Sequence, residues 1–175
     1  MKRTLCALLA LICLVCSAWA EIALQPVSPT PSAAPAGEVF SGEGLSLTLP
    51  AGFALLSQDA LEGYAAAVES DYPGAAHIVL AAADGERGAF VALLQTESVL
   101  TAADAAREAA ERILGGSESV AEVQYGEHSC AALACAIDDR TYALYFLSDG
   151  ARSLVCAVSG LEEKEISEIL TGLQF

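Results

Sequence analysis

The chain has 175 residues, 54% of them hydrophobic, and a formal net charge of −15 at pH 7. This length is sufficient for a single domain with its own hydrophobic core. A protein this acidic repels phosphate backbones and anionic lipid headgroups, so we expect neither a nucleic-acid partner nor binding to a membrane surface.

Residues 1–20 predict a secretory signal peptide. Lys2 and Arg3 form a positive start, an apolar run follows, and an A-x-A site ends at Ala20, which is the layout of such a leader. We expect a mature chain that begins at Glu21 and is secreted or held in the cell envelope. Of the 8 basic residues, Lys2 and Arg3 would leave with the leader, so 6 would remain against 23 acidic ones, a net charge of −17.

Two other fates of the leader stay open. It could be retained as a membrane anchor, although its apolar run is shorter than the roughly 20 residues that span a bilayer. It could also carry a lipid on Cys13 or Cys16, although the bulky Ile12 and Val15 precede them where lipid attachment needs a small residue. We expect membrane contact only through one of these two routes.

Residues 21–41 predict a proline-rich linker. Pro26, Pro29, Pro31 and Pro35 alternate with small and polar residues, a composition that favours extended, solvated backbone without a packed core. The remaining residues, 42–175, are then one globular domain.

The domain opens with a predicted strand and a predicted helix. Leucines alternate with polar residues from Leu45 to Leu49, and Pro50 stops this strand. A helix is predicted from Asp59, with Glu62 as its capping partner, and Pro73 closes that segment.

A β-hairpin and a further strand follow. The apolar runs His77 to Ala83 and Ala89 to Thr96 flank the turn residues Asp84-Gly85 and predict the hairpin. Val120 to Gln124 or Tyr125 predicts a strand that lies beyond the next helix.

The second predicted helix has clear ends. Thr101 and Asp104 form a T-x-x-D capping signature, and Gly115 would end the helix in the left-handed conformation. Its exposed side would carry Glu108 and Arg112 one turn apart. Its inward face is dominated by alanine: Ala102, Ala106, Ala109, Ile113 and Leu114.

The last predicted helix runs from Leu161 to Thr171. It would begin after Ser159 with Glu162 as its capping-box partner, and Gly172 would end it. Its buried side would consist of Leu161, Ile166, Ile169, Leu170 and, beyond the helix, Leu173.

Three consecutive strands between these helices decide the architecture. They are Cys130 to Ile137, Arg140 to Leu147 and Arg152 to Val158, separated by Asp138-Asp139 and by Asp149-Gly150. With turns of two residues, the register would pair Cys135 with Tyr142, Leu144 with Val155, and Ala143 with Cys156.

Both faces of this predicted sheet are apolar. One face would carry Ala132, Ala134, Ala143, Tyr145, Leu147, Leu154, Cys156 and Val158, and the other Leu133, Cys135, Ile137, Tyr142, Leu144, Phe146, Val155 and Ala157. A sheet with one face in water would alternate with polar residues, so both faces need a cover. The three amphipathic helices supply it. We therefore predict an α/β fold of the α+β type, a three-layer α/β/α sandwich with a mainly antiparallel sheet.

The register argues against disulfides in the mature chain. Cys130 and Cys135 would point to opposite faces, as would Cys135 and Cys156, while Cys130 and Cys156 share a face two strands apart. A disulfide needs Cα atoms within about 7 Å. We expect three small core residues, with Cys130–Cys135 as the alternative pair if Cys130 lies in a loop.

One cluster, His128-Ser129-Cys130, resembles a chemical site. On a strand, His128 and Cys130 would project to the same face and could share a metal or form a thiolate–imidazole pair. Neither role has a visible third partner, because the other histidine, His77, is distant in sequence. We therefore assign no catalytic, cofactor-binding or metal-binding residue and expect no cofactor and no enzymatic activity.

Two segments resemble PsbP-like and DcrB-like proteins. Residues 45–53, LSLTLPAGF, resemble the opening strand and "LP-x-G-F/W" turn of these families, and residues 166–175, ISEILTGLQF, resemble their terminal helix and short "S-L/F-x-F" segment. Gly172 stands where a small polar residue is commoner. The resemblance spans essentially residues 42–175 and implies an α/β/α sandwich in an exported, often envelope-associated protein. It implies an accessory or partner-binding role without enzyme activity.

Three functions therefore compete. The first is a non-enzymatic extracytoplasmic accessory domain that binds an envelope or extracellular protein. The alternative is an exported protein that binds a small molecule or a cation. The third, less favoured, is a small hydrolase or thiol-dependent enzyme that uses His128 and Cys130.

Overall fold

A computed structural model describes residues 39–57, 59, 61–62, 77–96, 100–113, 120–137 and 140–175. The predicted leader, nearly all of the predicted linker and most of the helix predicted from Asp59 lie outside these ranges. At Asp59, Leu61 and Glu62 the backbone is helical. None of the helices in the described ranges has the length and hydropathy to cross a membrane.

The described domain consists of β-strands and two helices. The strands are β1 Val39–Gly42, β2 Leu45–Thr48, β3 Ala54–Leu55, β4 His77–Asp84, β5 Ala89–Thr96, β6 Val120–Tyr125, β7 His128–Ile137, β8 Arg140–Ser148 and β9 Ser153–Ser159; the helices are α1 Ala102–Ile113 and α2 Glu163–Gly172.

Seven strands form one sheet in the order β3-β4-β5-β9-β8-β7-β6. Every neighbouring pair is antiparallel. β1 and β2 form a separate two-stranded hairpin. The predicted α+β class with a mainly antiparallel sheet is confirmed at this level.

The register of the three decisive strands is confirmed in one turn and wrong in the other. Cys135 lies opposite Tyr142, as a two-residue turn requires. Leu144, however, lies opposite Ala157, and Ala143 opposite Val158, because Ser148 pairs with Ser153 across a four-residue loop.

Asp149 is the reason for the longer loop. Its Oδ1 accepts hydrogen bonds from the backbone N–H groups of Ala151 and Arg152, both at 2.8 Å. These bonds stabilise a turn over residues 149–152 in place of the predicted two-residue turn. The register moves by two residues, and since side chains alternate with a period of two, each residue keeps its predicted face.

The two faces of the sheet belong to separate hydrophobic clusters. On one face, Leu133, Tyr142 and Leu144 pack with the alanine face of α1. The buried alanines of α1 are Ala105, Ala106, Ala109 and Ala110. The predicted inward residues Ile113 and Leu114, and the predicted pair partner Arg112, lie outside the described side chains.

The other face packs against two elements. Leu45 and Leu47 of β2, with Leu49 just after it, join the same cluster as Tyr145, Cys156 and Val158 of the sheet. α2 contributes Ile166, Ile169 and Leu170 to this cluster. The predicted cover here was a helix alone. The β1–β2 hairpin shares that role, because the alternating leucines of β2 need a buried surface.

The start of α1 is confirmed, and the predicted start of α2 is wrong. Thr101 Oγ1 accepts from the Asp104 N–H at 3.1 Å, as the capping signature predicts. In α2 the capping box is formed by Glu162 and Glu165. Ser159 is not the cap because β9 continues through it, and its hydroxyl donates to the Thr141 carbonyl at 2.8 Å.

A charged network ties α2 to the β4–β5 turn. Arg87 donates from Nε to Asp84 at 2.7 Å and from Nη1 to Glu165 at 2.7 Å, and its guanidinium lies 5.8 Å from the centre of the Phe53 ring. Asp84 is buried and also accepts from the backbone N–H groups of Glu86 and Arg87 at 3.0 and 3.1 Å. The network therefore fixes the first turn of α2 relative to the sheet.

Both carboxylates of the network are held ionised. Burial opposes ionisation of Asp84, but the hydrogen bonds from Arg87 and from the Glu86 N–H outweigh it, so its pKa lies below the ordinary 3.8. The Arg87 side chain and the Glu162 N–H lower the pKa of Glu165 below 4.5. The network should therefore weaken when the pH falls low enough to protonate Asp84 and Glu165.

Because Gly52 has no side chain, there is room beside it for the Asp84 carboxylate. The Gly52 φ of +95° is a conformation that favours glycine, and a Cβ there would lie 2.7 Å from the Asp84 carboxylate oxygen Oδ2. Pro50 ends β2 just before, and Phe53 follows beneath Arg87. The Pro50–Phe53 turn is thus built around the network.

Replacing Gly52 with alanine should destabilise the domain more than the same change at Gly88. Gly88 also has positive φ, at +67°, but nothing lies within 4 Å of its Cβ position. Gly88→Ala should cost about 1–2 kcal/mol for the left-handed backbone. Gly52→Ala should lose roughly a further 1–3 kcal/mol, because Asp84 must leave its hydrogen bonds. Urea denaturation measures both, and equal losses would contradict a rigid Asp84.

Replacing Arg87 with methionine should cost about 1–3 kcal/mol at neutral pH, because Asp84 and Glu165 lose a charged partner. Since the folded-state pKa of both carboxyls is lowered, the stabilisation is complete above their ordinary values of 3.8 and 4.5 and disappears as the pH falls through the folded values.

Urea denaturation across the acid range should therefore show the difference between the wild type and Arg87→Met closing below about pH 4. Arg107→Met is the matched control. It removes an exposed ion pair with Asp104 at 2.9 Å and should change stability by less than about 0.5 kcal/mol. A difference that persists unchanged at low pH would contradict the role given to the two carboxylates.

Candidate functional site

A cleft of about 650 Å³ separates the segment after β2 from α2. Leu49 and Ile169 form its floor, and both are fully buried. Pro50 and Ala51 form one wall, and the exposed side of α2 forms the other. The complete lining is Thr48, Leu49, Pro50, Ala51, Arg87, Glu162, Lys164, Glu165, Glu168 and Ile169.

Carboxylates dominate the α2 wall of the cleft. Glu162, Glu165 and Glu168 are three residues apart and so follow one side of the helix. Glu165 is engaged by Arg87, whereas Lys164 and Glu168 form a loose pair at 3.7 Å with side chains 83% and 64% exposed. An exposed pair of this kind exchanges partners at little cost.

The end of β2 offers backbone groups to the same cleft. Ser46 exchanges two hydrogen bonds with Gln174, at 2.9 and 2.8 Å, on the edge of β2 that faces away from β1. Because backbone groups alternate between the two edges of an antiparallel strand, the N–H and C=O of Thr48 point to that same edge. Within the described part of the chain, no hydrogen bond engages them.

His128 and Cys130, the cluster that resembles a chemical site, contact other groups rather than each other's side chains. His128 Nε2 lies 2.7 Å from the Leu173 carbonyl, and its ring stacks on Phe175 with centroids 5.3 Å apart. Its role is to hold the end of the chain against β7. The sequence carries no local signal for these contacts, because the partners are 45 or more residues away.

Cys130 is a free, buried thiol. Burial raises its pKa to about 11, and its Sγ lies 3.8 Å from the backbone carbonyl of His128 rather than bonding the imidazole. Cys156 is fully buried, and burial raises its pKa to about 12. Cys130, Cys135 and Cys156 are all free and buried, and Cys135 lies on the opposite face from the other two, as predicted.

The two histidines lie far apart in the sheet. His77 is on β4 and His128 on β7, with three strands between them. At about 4.8 Å per strand spacing, their backbones are roughly 19 Å apart. Among the residues that the structure describes, no three His, Cys, Asp or Glu side chains converge as metal ligands.

A buried phenol network beneath α2 was not predicted. Tyr125 donates to Glu163 Oε1 at 2.6 Å and contacts Tyr145 edge-on, with centroids 5.7 Å apart. Burial, with the hydrogen bond to Glu163, strongly raises the pKa of Tyr125, and burial raises that of Tyr145. Both phenols therefore stay protonated, and the hydrogen bond from Tyr125 to Glu163 joins β6 to α2.

Comparisons with known proteins support the fold alone. No family model matches the chain, and no curated protein matches it. It is similar to the crystal structure of a protein from Bacteroides thetaiotaomicron VPI-5482, determined at 1.50 Å resolution, with a TM-score of 0.51 and 15% sequence identity. The match covers 80% of this chain and 48% of that chain, so this chain spans about half the length of its neighbour.

Proposed function

We propose that this chain is a non-enzymatic accessory domain that works outside the cytoplasm and binds a protein partner through the cleft beside α2. Residues 1–20 would export it, and the part of residues 21–41 that precedes β1 would serve as its linker, since β1 begins at Val39. The partner would be an envelope or extracellular protein.

The fold belongs to the same proposal. We infer a three-layer α/β/α sandwich of the PsbP-like and DcrB-like kind. Its support is that α1 packs in one core cluster while α2 packs in the other. The LP-x-G-F turn that carries the resemblance has a packing role here, since Gly52 and Phe53 surround Asp84 and Arg87.

The functional proposal rests on a difference between two regions. The groups of the His128–Cys130 cluster are engaged or buried, whereas the cleft is open. The imidazole of His128 is held by Leu173 and Phe175, and the Cys130 thiol is buried. The cleft, by comparison, is open and has charged side chains along α2 that face an apolar wall at Pro50 and Ala51. This combination is typical of recognition surfaces.

The same cleft supports a second candidate, an exported protein that binds a small molecule. A volume of about 650 Å³ falls in the range of ligand pockets. Thermal unfolding across a ligand and metal panel tests it, because a ligand that binds only the native state raises the melting temperature. A flat response across the panel would eliminate this candidate.

Cys130 should be inert in the folded protein. In a variant of residues 21–175, which lacks Cys6, Cys13 and Cys16, the changes Cys135→Ala and Cys156→Ala leave Cys130 as the one remaining cysteine. Native Cys130 should then react with a thiol reagent far more slowly than a free thiol, since a pKa of about 11 leaves little thiolate at neutral pH. The same variant in urea provides the unfolded control. Native labelling at or above the free-thiol rate would revive the thiol-enzyme alternative.

Filling the cleft should abolish partner capture. The full chain, tagged within residues 21–38 so that β1 stays intact, is used to recover proteins from an extracytoplasmic fraction. Ala51→Trp places a bulky side chain on the cleft wall, and Ala136→Trp, on an exposed position of β7, is the matched control. We expect a partner that the wild type and Ala136→Trp recover and Ala51→Trp does not. No partner, or equal recovery by all three, would contradict the proposal.

A further inference from the structure

We propose that the occupant of the cleft is an extended segment of the partner that carries lysine or arginine. This inference rests on the proposed function and specifies the partner's chemistry. In the bound state, the segment would lie along the end of β2, between the point where Gln174 pairs with Ser46 and the point where Pro50 ends the strand.

The charges around the cleft favour a cationic occupant. Arg87 is the first cation on the rim, but Asp84 and Glu165 hold it between two carboxylates, so that group of three carries one net negative charge. Lys164 is the second cation, and Glu162 and Glu168 outnumber it. The chain as a whole carries −15, which attracts a basic segment over a distance of about a Debye length.

The start of α2 does not serve an anionic occupant. A helix N-terminus attracts anions through its unpaired N–H groups. In α2 the Glu162 side chain accepts from the N–H of Glu165, and the Glu165 side chain accepts from the N–H of Glu162 at 3.0 Å. The chain's own carboxylates thus fill the position that a phosphate or an acidic side chain would need.

The backbone of β2 favours a peptide over a small polyamine. Thr48 lines the cleft, and its N–H and C=O lie on the edge of β2 that faces away from β1, where they can pair with an added extended segment, a common mode of peptide recognition. A polyamine has no carbonyl to accept from that N–H. Pro50 and Ala51 provide an apolar wall against which the aliphatic stem of a lysine or arginine can pack.

Lys164 gives the cleft its own reporter. The chain has two lysines, Lys2 and Lys164. Reductive methylation with ¹³C-formaldehyde keeps the charge and adds an NMR signal, and a Lys164→Arg sample assigns it. A basic segment that takes Glu168 would release Lys164 from its pair, so the methyl signal should shift on binding.

The full chain is titrated with a peptide of alternating lysine and valine, with a glutamate–valine peptide of the same length, and with spermidine. We expect the lysine peptide to move the Lys164 signal and to protect the Thr48 amide from hydrogen exchange. Glu168→Lys should weaken its binding about fivefold, as expected for a lost exposed ion pair. Glu111→Lys, the same change on the exposed side of α1, should leave affinity within about twofold.

Three outcomes would overturn this inference. The glutamate peptide could bind as tightly, spermidine could match the lysine peptide without loss from the Glu168 change, or Glu111→Lys could weaken binding as much as Glu168→Lys, which would indicate nonspecific attraction. If any of these occurs while Ala51→Trp still abolishes partner capture, the proposed function stands and only the partner's chemistry is wrong. If, in addition, the wild type recovers no partner or Ala51→Trp recovers it equally well, both proposals are wrong.

Discussion

The structure depends on a sheet whose central strands are apolar on both faces. In β9, every residue from Ser153 to Val158 is buried, and alternate side chains enter the two core clusters. If either face lost its cover, apolar area would be exposed to water at a free-energy cost of about 25 cal/mol per Å². The α1 face is closed by alanines, which let the helix approach closely. The other face is closed by two pieces, the β1–β2 hairpin and α2.

The cleft exists because that second cover is made of two pieces. α2 and β2 share one hydrophobic cluster, and the cleft is the gap between them above the buried Leu49 and Ile169. Its ends are tied by separate bonds: Arg87 joins Glu165 of α2 to the β4–β5 turn, and Gln174 joins the chain after α2 to Ser46 of β2. Tyr125 adds a bond to Glu163 from below. The two walls are therefore held at a set distance, which would lower the ordering cost of the binding proposed above.

Patterns with a short range were predictable from the sequence, and contacts between distant residues were not. The period of two in β7, β8 and β9 placed each side chain on its correct face, and it still did so when the loop after Ser148 proved two residues longer. The sequence predicted a capping box that begins at Ser159, but β9 continues through Ser159 and the capping box begins at Glu162. Local sequence signals do not decide whether such a residue continues a strand or caps a helix. His128 was placed beside Cys130 correctly, but its partner Leu173 lies 45 residues away, and the link from Arg87 to Glu165 spans 78.

The charge of the chain and the shape of the cleft would contribute differently to the proposed recognition of a basic segment. A net charge of −15 acts on any basic protein and mainly raises the rate of encounter, an effect that salt screens. Under the proposed function, selectivity would have to come from groups with fixed positions, which here are the Thr48 backbone, the apolar wall at Ala51 and the carboxylates along α2. Salt dependence alone therefore cannot identify the binding site, because encounter and docking weaken together. Glu168→Lys and Glu111→Lys change the net charge equally and differ only in their distance from the cleft. Comparing them therefore separates the effect of charge on encounter from its effect on docking.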